Sequence, residues 1–325
     1  MICSTIIPTI DRASLARAVS SVLEQEVSRD EFEVIVVNDS GKPLAEEDWM
    51  QAPCVKILHT NRRNRSVARN TGAAVARGRY LHFLDDDDWM LPNAFQHLEA
   101  AARTAPADWV YGSFRLVDNV GNIITEISPT ETGNCLIQLL SSEWIPLQAS
   151  WIDASVFFVV GGFASLYSLS GGCEDIDLSR QIARYHAFDR TPEVVACIRT
   201  GDTGSTTDYN RLIQQNRLSR EKCLDMPGAF GRLRTSAQAS HNRKAYWHGR
   251  IAYYYLASIR WNLKQKHMNK AASRSFFTLL AMLTSGLNLV SREFWRGIRK
   301  PHFNLVRTTI EEMGVNLYPN TIWRD

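Results

Sequence analysis

Short apolar runs and longer amphipathic stretches alternate through the first 200 or so of the 325 residues. "ICSTII", from Ile2, has the length and β-branched content of a strand. "RASLARAVSSVLEQ" puts Leu15, Val19, Val22 and Leu23 on one face at helical spacing, which predicts an amphipathic helix. "EFEVIVVND" is apolar at consecutive positions, the mark of a strand covered on both faces inside a parallel sheet. "CVKILH" predicts another short strand, "SVARNTGAAVARG" a helix stopped by Gly78, and "YLHFL" a strand from Tyr80. "PNAFQHLEAAART" predicts a helix with Pro92 in its first turn, where the missing N–H costs nothing. "DWVYGSFRLVD" and "NIITEI" flank "NVGN" as a β-hairpin. Strand–helix alternation of this kind implies right-handed crossovers and a mainly parallel sheet flanked by helices. Beyond residue 208 the period is helical throughout, with "AYWHGRIAYYYLASIRWNLKQ" and "KAASRSFFTLLAMLTSGL" predicted as an αα-hairpin joined by "KHMN".

Composition narrows the classes without choosing among them. Hydrophobic residues make up 45% and charged residues 22% of the chain, as in an ordinary globular protein. The net charge of +3 gives no reason to expect a nucleic-acid partner. Acidic clusters lie in the first 180 residues and Arg and Lys dominate the last 100, so two parts are expected, 1–225 and 226–325. Six dispersed cysteines with no CxxC pair argue against zinc and a disulfide framework, and for reduced thiols in a cytoplasm. The N-terminus lacks a basic segment followed by a long apolar one, so no signal peptide is expected. The most apolar window, "FFTLLAMLTSGLNLV", is shorter than a membrane span. A P-loop is excluded because Val36 stands where the motif before Gly41-Lys42 needs glycine, and no GxGxxG follows a strand.

Ligands of open α/β sheets bind beyond the carboxyl ends of the strands. Three predicted strands deliver polar groups there: Pro8, Thr9, Asp11 and Arg12 in "PTIDR", Asn38, Asp39 and Ser40 in "VVNDSG", and the run Asp85 to Asp88. Adjacent carboxylates repel, so the run is either a solvated turn with Asp88 capping the next helix, or a site for a hard cation such as Mn2+ or Mg2+. In "SGGCEDIDLSRQIARY", Glu174, Asp175 and Asp177 open a helix behind Gly171 and Gly172, with Ile176, Ile182 and Ala183 turned inward. Acidic residues in a first turn complement the macrodipole, and such a placement also suits a general base.

The order "PTIDR", "VVNDSG", "ARNTGAAVARGRYLHFLDDDDWMLP", "GGF" and a helix bearing Glu-Asp resembles family 2 glycosyltransferases with the GT-A fold, over residues 1 to 200. The resemblance implies an α/β GT-A domain with a C-terminal α-helical extension, and inverting transfer of a sugar from a nucleotide-diphosphate donor, UDP favoured, to a saccharide or lipid-linked acceptor. It implies that Pro8, Thr9 and Asp11 line the nucleotide pocket, that Asp39 bonds the base, and that Arg65 and Arg69 sit near the nucleotide. It further implies Asp85 and Asp86 facing ribose and metal, Asp87 as the ligand of a divalent cation, Asp175 as general base, and Trp89 and Glu174 beside the acceptor. Two features depart from the pattern: Gly201 stands where many relatives have a histidine, leaving Arg199 or Asp202 to substitute, and Ala164 and Ser165 replace an acidic pair after Gly-Gly-Phe. A catalytically silent scaffold and a sugar-1-phosphate nucleotidyltransferase are the alternatives. The second lacks the glycine-rich basic loop it needs after the first strand. In "SREFWRGIRKPHFNLVR", Phe294, Trp295 and Ile298 gather between Arg292, Arg296, Arg299 and Lys300, which predicts either aromatics that pack the helical hairpin onto the catalytic domain or a peripheral contact at the inner face of a membrane.

Overall fold

The computed structural model describes residues 1–104, 107–141, 145–165, 173–200, 209–239 and 243–299. Its strands are β1 (Cys3–Thr9), β2 (Phe32–Asn38), β3 (Val55–His59), β4 (Tyr80–Phe83), β5 (Trp89–Met90), β6 (Trp109–Val117), β7 (Ile123–Ile127), β8 (Ser150–Asp153) and β9 (Phe188–Arg199). They form one sheet in the order β3-β2-β1-β4-β8-β6-β9-β5, with β7 paired to β6 as the expected hairpin. The first four strands are parallel. Antiparallel pairing enters at β8, between β4 and β6, and at β5 on the far edge, whereas β6 and β9 are parallel.

Two-sided burial explains the apolar runs. Every residue of β2 is buried. Phe32, Val34 and Val36 point into a cluster completed by Leu15, Val19 and Val22 of α1 (Leu15–Leu23) and by Phe95 and Leu98 of α3 (Ala94–Thr104). Ile35 and Val37 alternate to the other face and meet Ala68 and Ala73 of α2 (Arg65–Val75). That second cluster continues through α4 (Leu136–Leu140), α5 (Ala154–Val159), α6 (Glu174–Ala183) and the helices that follow α7 (Tyr209–Asp225): α8 (Ala229–Ala239), α9 (Lys244–Lys264), α10 (Met268–Ser285) and α11 (Arg292–Arg299). The boundary expected after residue 225 falls inside it, between Leu224 and Met226.

Some local expectations are corrected. The helix read from "SVARNTGAAVARG" ends at Val75, with Ala76 already extended, so Gly78 is not its stop. Gly78 is where the chain entering β4 passes β1: a Cβ there would lie 2.4 Å from the Ser4 nitrogen. Pro92 precedes the helix that begins at Ala94, because Asn93 takes a left-handed turn with φ 62°. Ile182 and Ala183 are buried as expected, whereas Ile176 is half-buried. Asp88 caps no helix; it is 3% exposed and accepts a bond from the backbone of Arg199 at 2.7 Å, tying the loop after β4 to the end of β9. The αα-hairpin is present as α9 and α10, and α11 lies against α9 through two glycines: a Cβ on Gly249 would meet the Phe294 carbonyl oxygen at 2.1 Å, and one on Gly297 the Tyr246 carbonyl oxygen at 2.3 Å. Gly171, Gly172, Gly201, Asp202 and Lys300 lie outside the described residues.

Candidate functional site

Parallel register puts the three polar strand ends side by side. Thr9 faces Asn38 across β1 and β2, and Ile6 faces Phe83 across β1 and β4. Three residues beyond each of the latter are Thr9 and Asp86, and the Thr9 hydroxyl donates to Asp86 at 2.6 Å. Pro8 is buried inside β1 opposite Val37. Asp11, exposed at φ 71°, turns the chain left-handed while its N–H donates to the Thr9 hydroxyl. That turn brings Arg12 back over the acidic run, where one guanidinium nitrogen donates to Asp86 at 3.0 Å and to Asp87 at 2.5 Å.

The four aspartates have four different settings. Asp85 pairs with Arg69 at 2.6 Å and accepts from the Gln148 amide at 2.9 Å. Burial works against its charge, yet Arg69, with Arg65 and Arg12, outweighs burial and holds the carboxyl below its usual range. Burial, with Asp87 and Asp85 nearby, pushes Asp86 up to about 6 despite the Thr9 bond and Arg12. Burial and Asp85 raise Asp87, and burial with Asp85 and Asp87 raises Asp88 well above the ordinary value. Burial first, and like charge second, thus raise three of the four carboxyls. Among the described residues no group of three His, Cys, Asp or Glu is arranged to enclose a metal ion. The half-exposed Asp87 offers oxygen beside two further carboxylates, which fits a hard cation whose other ligands come from a diphosphate.

Arg69 connects this cluster to the second acidic motif. It is 3% exposed, lies 5.2 Å from the Phe163 ring centroid, and reaches Glu174 at 3.2 Å with its other terminal nitrogen. Arg65 reaches the same Glu174 oxygen at 3.2 Å. Glu174, expected beside the acceptor, is thus buried under two arginines, and its Oε2 has no hydrogen-bond partner. Asp175 is half-exposed, accepts from the Ile176 N–H at 2.8 Å, and is held above its usual range by burial and by Glu174. Cys173, left-handed at φ 89°, aims this helix start. Trp89 carries the Arg17 guanidinium 3.2 Å above its ring. Asp39, 3% exposed, accepts from the Thr60 hydroxyl and the N–H groups of Arg62 and Asn64 at 2.6 to 2.7 Å; burial opposes its charge, and these bonds together lower it.

Residue types alone gave no role to several contributors. Gln148 is one amide in the apolar stretch "IPLQA" and carries no sequence signal. It is seated by His82, which burial keeps neutral by lowering it to about 4; the ring Nε2–H donates to the Gln148 carbonyl at 3.0 Å, leaving Nδ1 to accept from Thr5. Asn64 caps α2 and bonds the Ser165 carbonyl, and Asn70 pairs with both backbone groups of Phe163, so α2 holds the Gly-Gly-Phe loop. Arg12 was visible as a cation directly after a strand end.

Residues 4–167 match the family model described as glycosyl transferase family 2. The chain is 32% identical over 163 residues to the poly(ribitol-phosphate) beta-N-acetylglucosaminyltransferase TarP of Staphylococcus aureus, covering 48% of this chain and 46% of that protein. It is 27% identical over 191 residues to an uncharacterized glycosyltransferase of Haemophilus influenzae, covering 57% and 63%. The matched regions thus span less than two thirds of these relatives. Among solved structures, S. aureus TarS 1-349 in complex with UDP-GlcNAc superposes with a TM-score of 0.58 at 13% identity, covering 97% of this chain and 93% of that one. This likeness carries the fold: the chain has the GT-A architecture expected from its sequence.

Proposed function

Since the match to glycosyl transferase family 2 spans half of its length, the chain belongs to that family, and we propose that it is an inverting, cation-dependent glycosyltransferase that moves a sugar from a UDP-sugar to an acceptor hydroxyl in bacterial glycoconjugate synthesis. The observation that carries this reading is the Arg69 link, which holds the acidic strand end and the acidic helix start at one edge of the sheet. The UDP-GlcNAc complex of TarS and the name of TarP favour UDP-GlcNAc as the first donor to test and a polyol-phosphate or saccharide acceptor.

In this reading Pro8, Thr9, Asp11, Asp39, Arg65, Arg69, Asp85 and Asp86 form the donor side. Asp87 is the residue that would hold Mn2+ or Mg2+, and the chemistry that cation would supply is neutralisation of the charge growing on the departing nucleotide diphosphate. Asp175 takes the proton of the acceptor hydroxyl; the oxygen then attacks the anomeric carbon opposite the leaving UDP, and one displacement inverts that centre. A carboxylate whose proton affinity is raised by burial and a like charge is a better proton acceptor at neutral pH than an exposed aspartate. Trp89 stays the acceptor-side residue of this reading.

The test is turnover of UDP-sugars by the purified chain with Mn2+, using Asp175→Asn as the comparison. The substitution keeps shape and removes proton acceptance, so kcat falls by about a hundredfold or more while UDP binding holds. A variant that loses UDP binding and keeps turnover overturns the assignment of Asp175. A chain that binds UDP-sugars and neither transfers nor hydrolyses them leaves the scaffold reading.

A further inference from the structure

The aromatic cluster read from the tail does not form an exposed face. Phe294 is fully buried against α9, and only Trp295 remains 42% exposed. The exposed apolar surface lies on the preceding helix. Along α10, Phe276, Leu279 and Leu283 recur at three- and four-residue spacing and are 58–67% exposed; in the 3-10 turn that follows, Leu287 and Val290 are 90% and 85% exposed. The opposite side of α10 already has its partner, since Ala271, Arg274, Ala281 and Ser285 are buried and Phe277 stacks on Tyr255 at 5.2 Å. A helix that packs one side on a protein and faces water with the other normally carries polar residues outward. This one carries leucines and a phenylalanine.

Charge says what covers that face. Between Asp225 and Glu293 the sequence has eleven Lys and Arg and no Asp or Glu. Exposed cations stand at both ends of the stripe: Lys264, Lys266 and Lys270 before or at the start of α10, and Arg292, Arg296 and Arg299 after its end. Two copies meeting through this face would bring two predominantly basic blocks together, since among the described residues only Lys270 and Arg296 of the six named cations pair with an acid, Asp225 and Glu293, and like charge opposes that arrangement. A helix about 27 Å long with an apolar outer stripe and cations at each end has the form of an element lying in the plane of an anionic interface, leucines among the acyl chains and Lys and Arg reaching the headgroups.

We infer that the outer face of α10, with the 286–290 turn and Trp295, is a docking surface for an anionic lipid bilayer. It binds peripherally, since no helix among the described residues is long and apolar enough to cross a membrane. The inference is independent of which sugar the protein transfers.

The experiment is co-sedimentation of the full chain with vesicles of phosphatidylglycerol and phosphatidylcholine, and with vesicles of phosphatidylcholine alone. Three proteins are compared: wild type, Leu283→Glu/Leu287→Glu, and Arg292→Glu/Arg299→Glu. Wild type sediments with the phosphatidylglycerol vesicles at low salt and is released by high salt. Each double variant binds those vesicles at least about tenfold more weakly while melting at the wild-type temperature, because all four side chains are exposed. Wild type remaining in the supernatant, equal binding to phosphatidylcholine alone, or leucine variants that sediment like wild type overturns the inference. So does self-association of wild type that Leu283→Glu/Leu287→Glu abolishes, which would give the face to a second copy. Absence of lipid binding together with a lowered melting temperature for that variant also overturns it, and would mean that residues 300–325 cover the stripe.

Discussion

Replacing Arg69 by methionine removes the charge that joins the two acidic motifs and leaves a side chain of similar reach. Asp85 loses a partner at 2.6 Å and Glu174 one at 3.2 Å, and neither carboxylate is well exposed. Taking one member out of a buried ion pair costs about 3–5 kcal/mol, because the other charge stays buried. Here each carboxylate keeps one partner: Gln148 still donates to Asp85 at 2.9 Å, and Arg65 stays 3.2 Å from Glu174. The loss therefore belongs at the low end, about 3 kcal/mol. With an unfolding entropy of about 2.1 cal/mol/K for each of the 325 residues, this lowers the melting temperature by roughly 4 °C. Calorimetry measures the shift, and a double-mutant cycle with Glu174→Gln isolates the pair: the two changes together should destabilise by less than their sum, with a coupling of about 1 kcal/mol. An Arg69→Met protein that melts within about 1 °C of wild type, the margin of a neutral surface change, refutes the bridge as a buried electrostatic link. Strict additivity in the cycle refutes the contribution of its Glu174 arm.

Asp87→Ala should lower transfer by at least about a hundredfold and abolish Mn2+-dependent UDP binding with the melting temperature preserved; wild-type activity undiminished in EDTA would refute the metal role. Burial and Glu174 raise the pKa of Asp175, so its base form is lost on acidification at higher pH than for an exposed aspartate, and kcat should fall along an acid limb above the ordinary aspartate range. Removing the neighbouring charge with Glu174→Gln should move that limb to lower pH, and a limb that stays in place would count against Asp175 as its source. Gly249→Ala places a methyl 2.1 Å from the Phe294 carbonyl, so α11 must shift; urea denaturation should show a loss of about 1–3 kcal/mol, and an unchanged midpoint would mean that the two helices do not meet there.

What could be read in advance divides along physical lines. β1, β2 and β4 were legible because two-sided burial forces apolar residues at consecutive positions, and their polar ends stand out against that background. α1, α9 and α10 were legible by helical periodicity. β8 was not, since "SWID" is four residues whose pairing with β4 and β6 is decided by partners elsewhere in the chain. β5 has two residues and exists through its pairing with β9. The acidic residues announced themselves by composition, but their roles depended on neighbours: Asp88 became a tie to Arg199, Glu174 a buried anchor, and Asp39 the hub of the 60–64 loop. Packing of Phe294 was one of two readings of the tail; the means of it, the missing side chains at Gly249 and Gly297, was not legible.

The tie between Asp88 and Arg199 also has a consequence for synthesis. Partners 111 positions apart cannot meet until the later one has been made. At about 5–20 residues per second, the acidic run waits roughly 6–20 s for the backbone group that ends its loop. During that interval β1, β2, β3 and β4 can already pair, because all four lie upstream of the run. The nascent chain thus carries a parallel half-sheet whose far edge, β4, still lacks its neighbour β8. Asp88 then still lacks its Arg199 partner, whereas Arg12 and Arg69, the cations that reach Asp86, Asp87 and Asp85, lie upstream and are already made. The arginine bridges of the acidic run can therefore form while the loop that carries them is still open, and Arg199 closes it last.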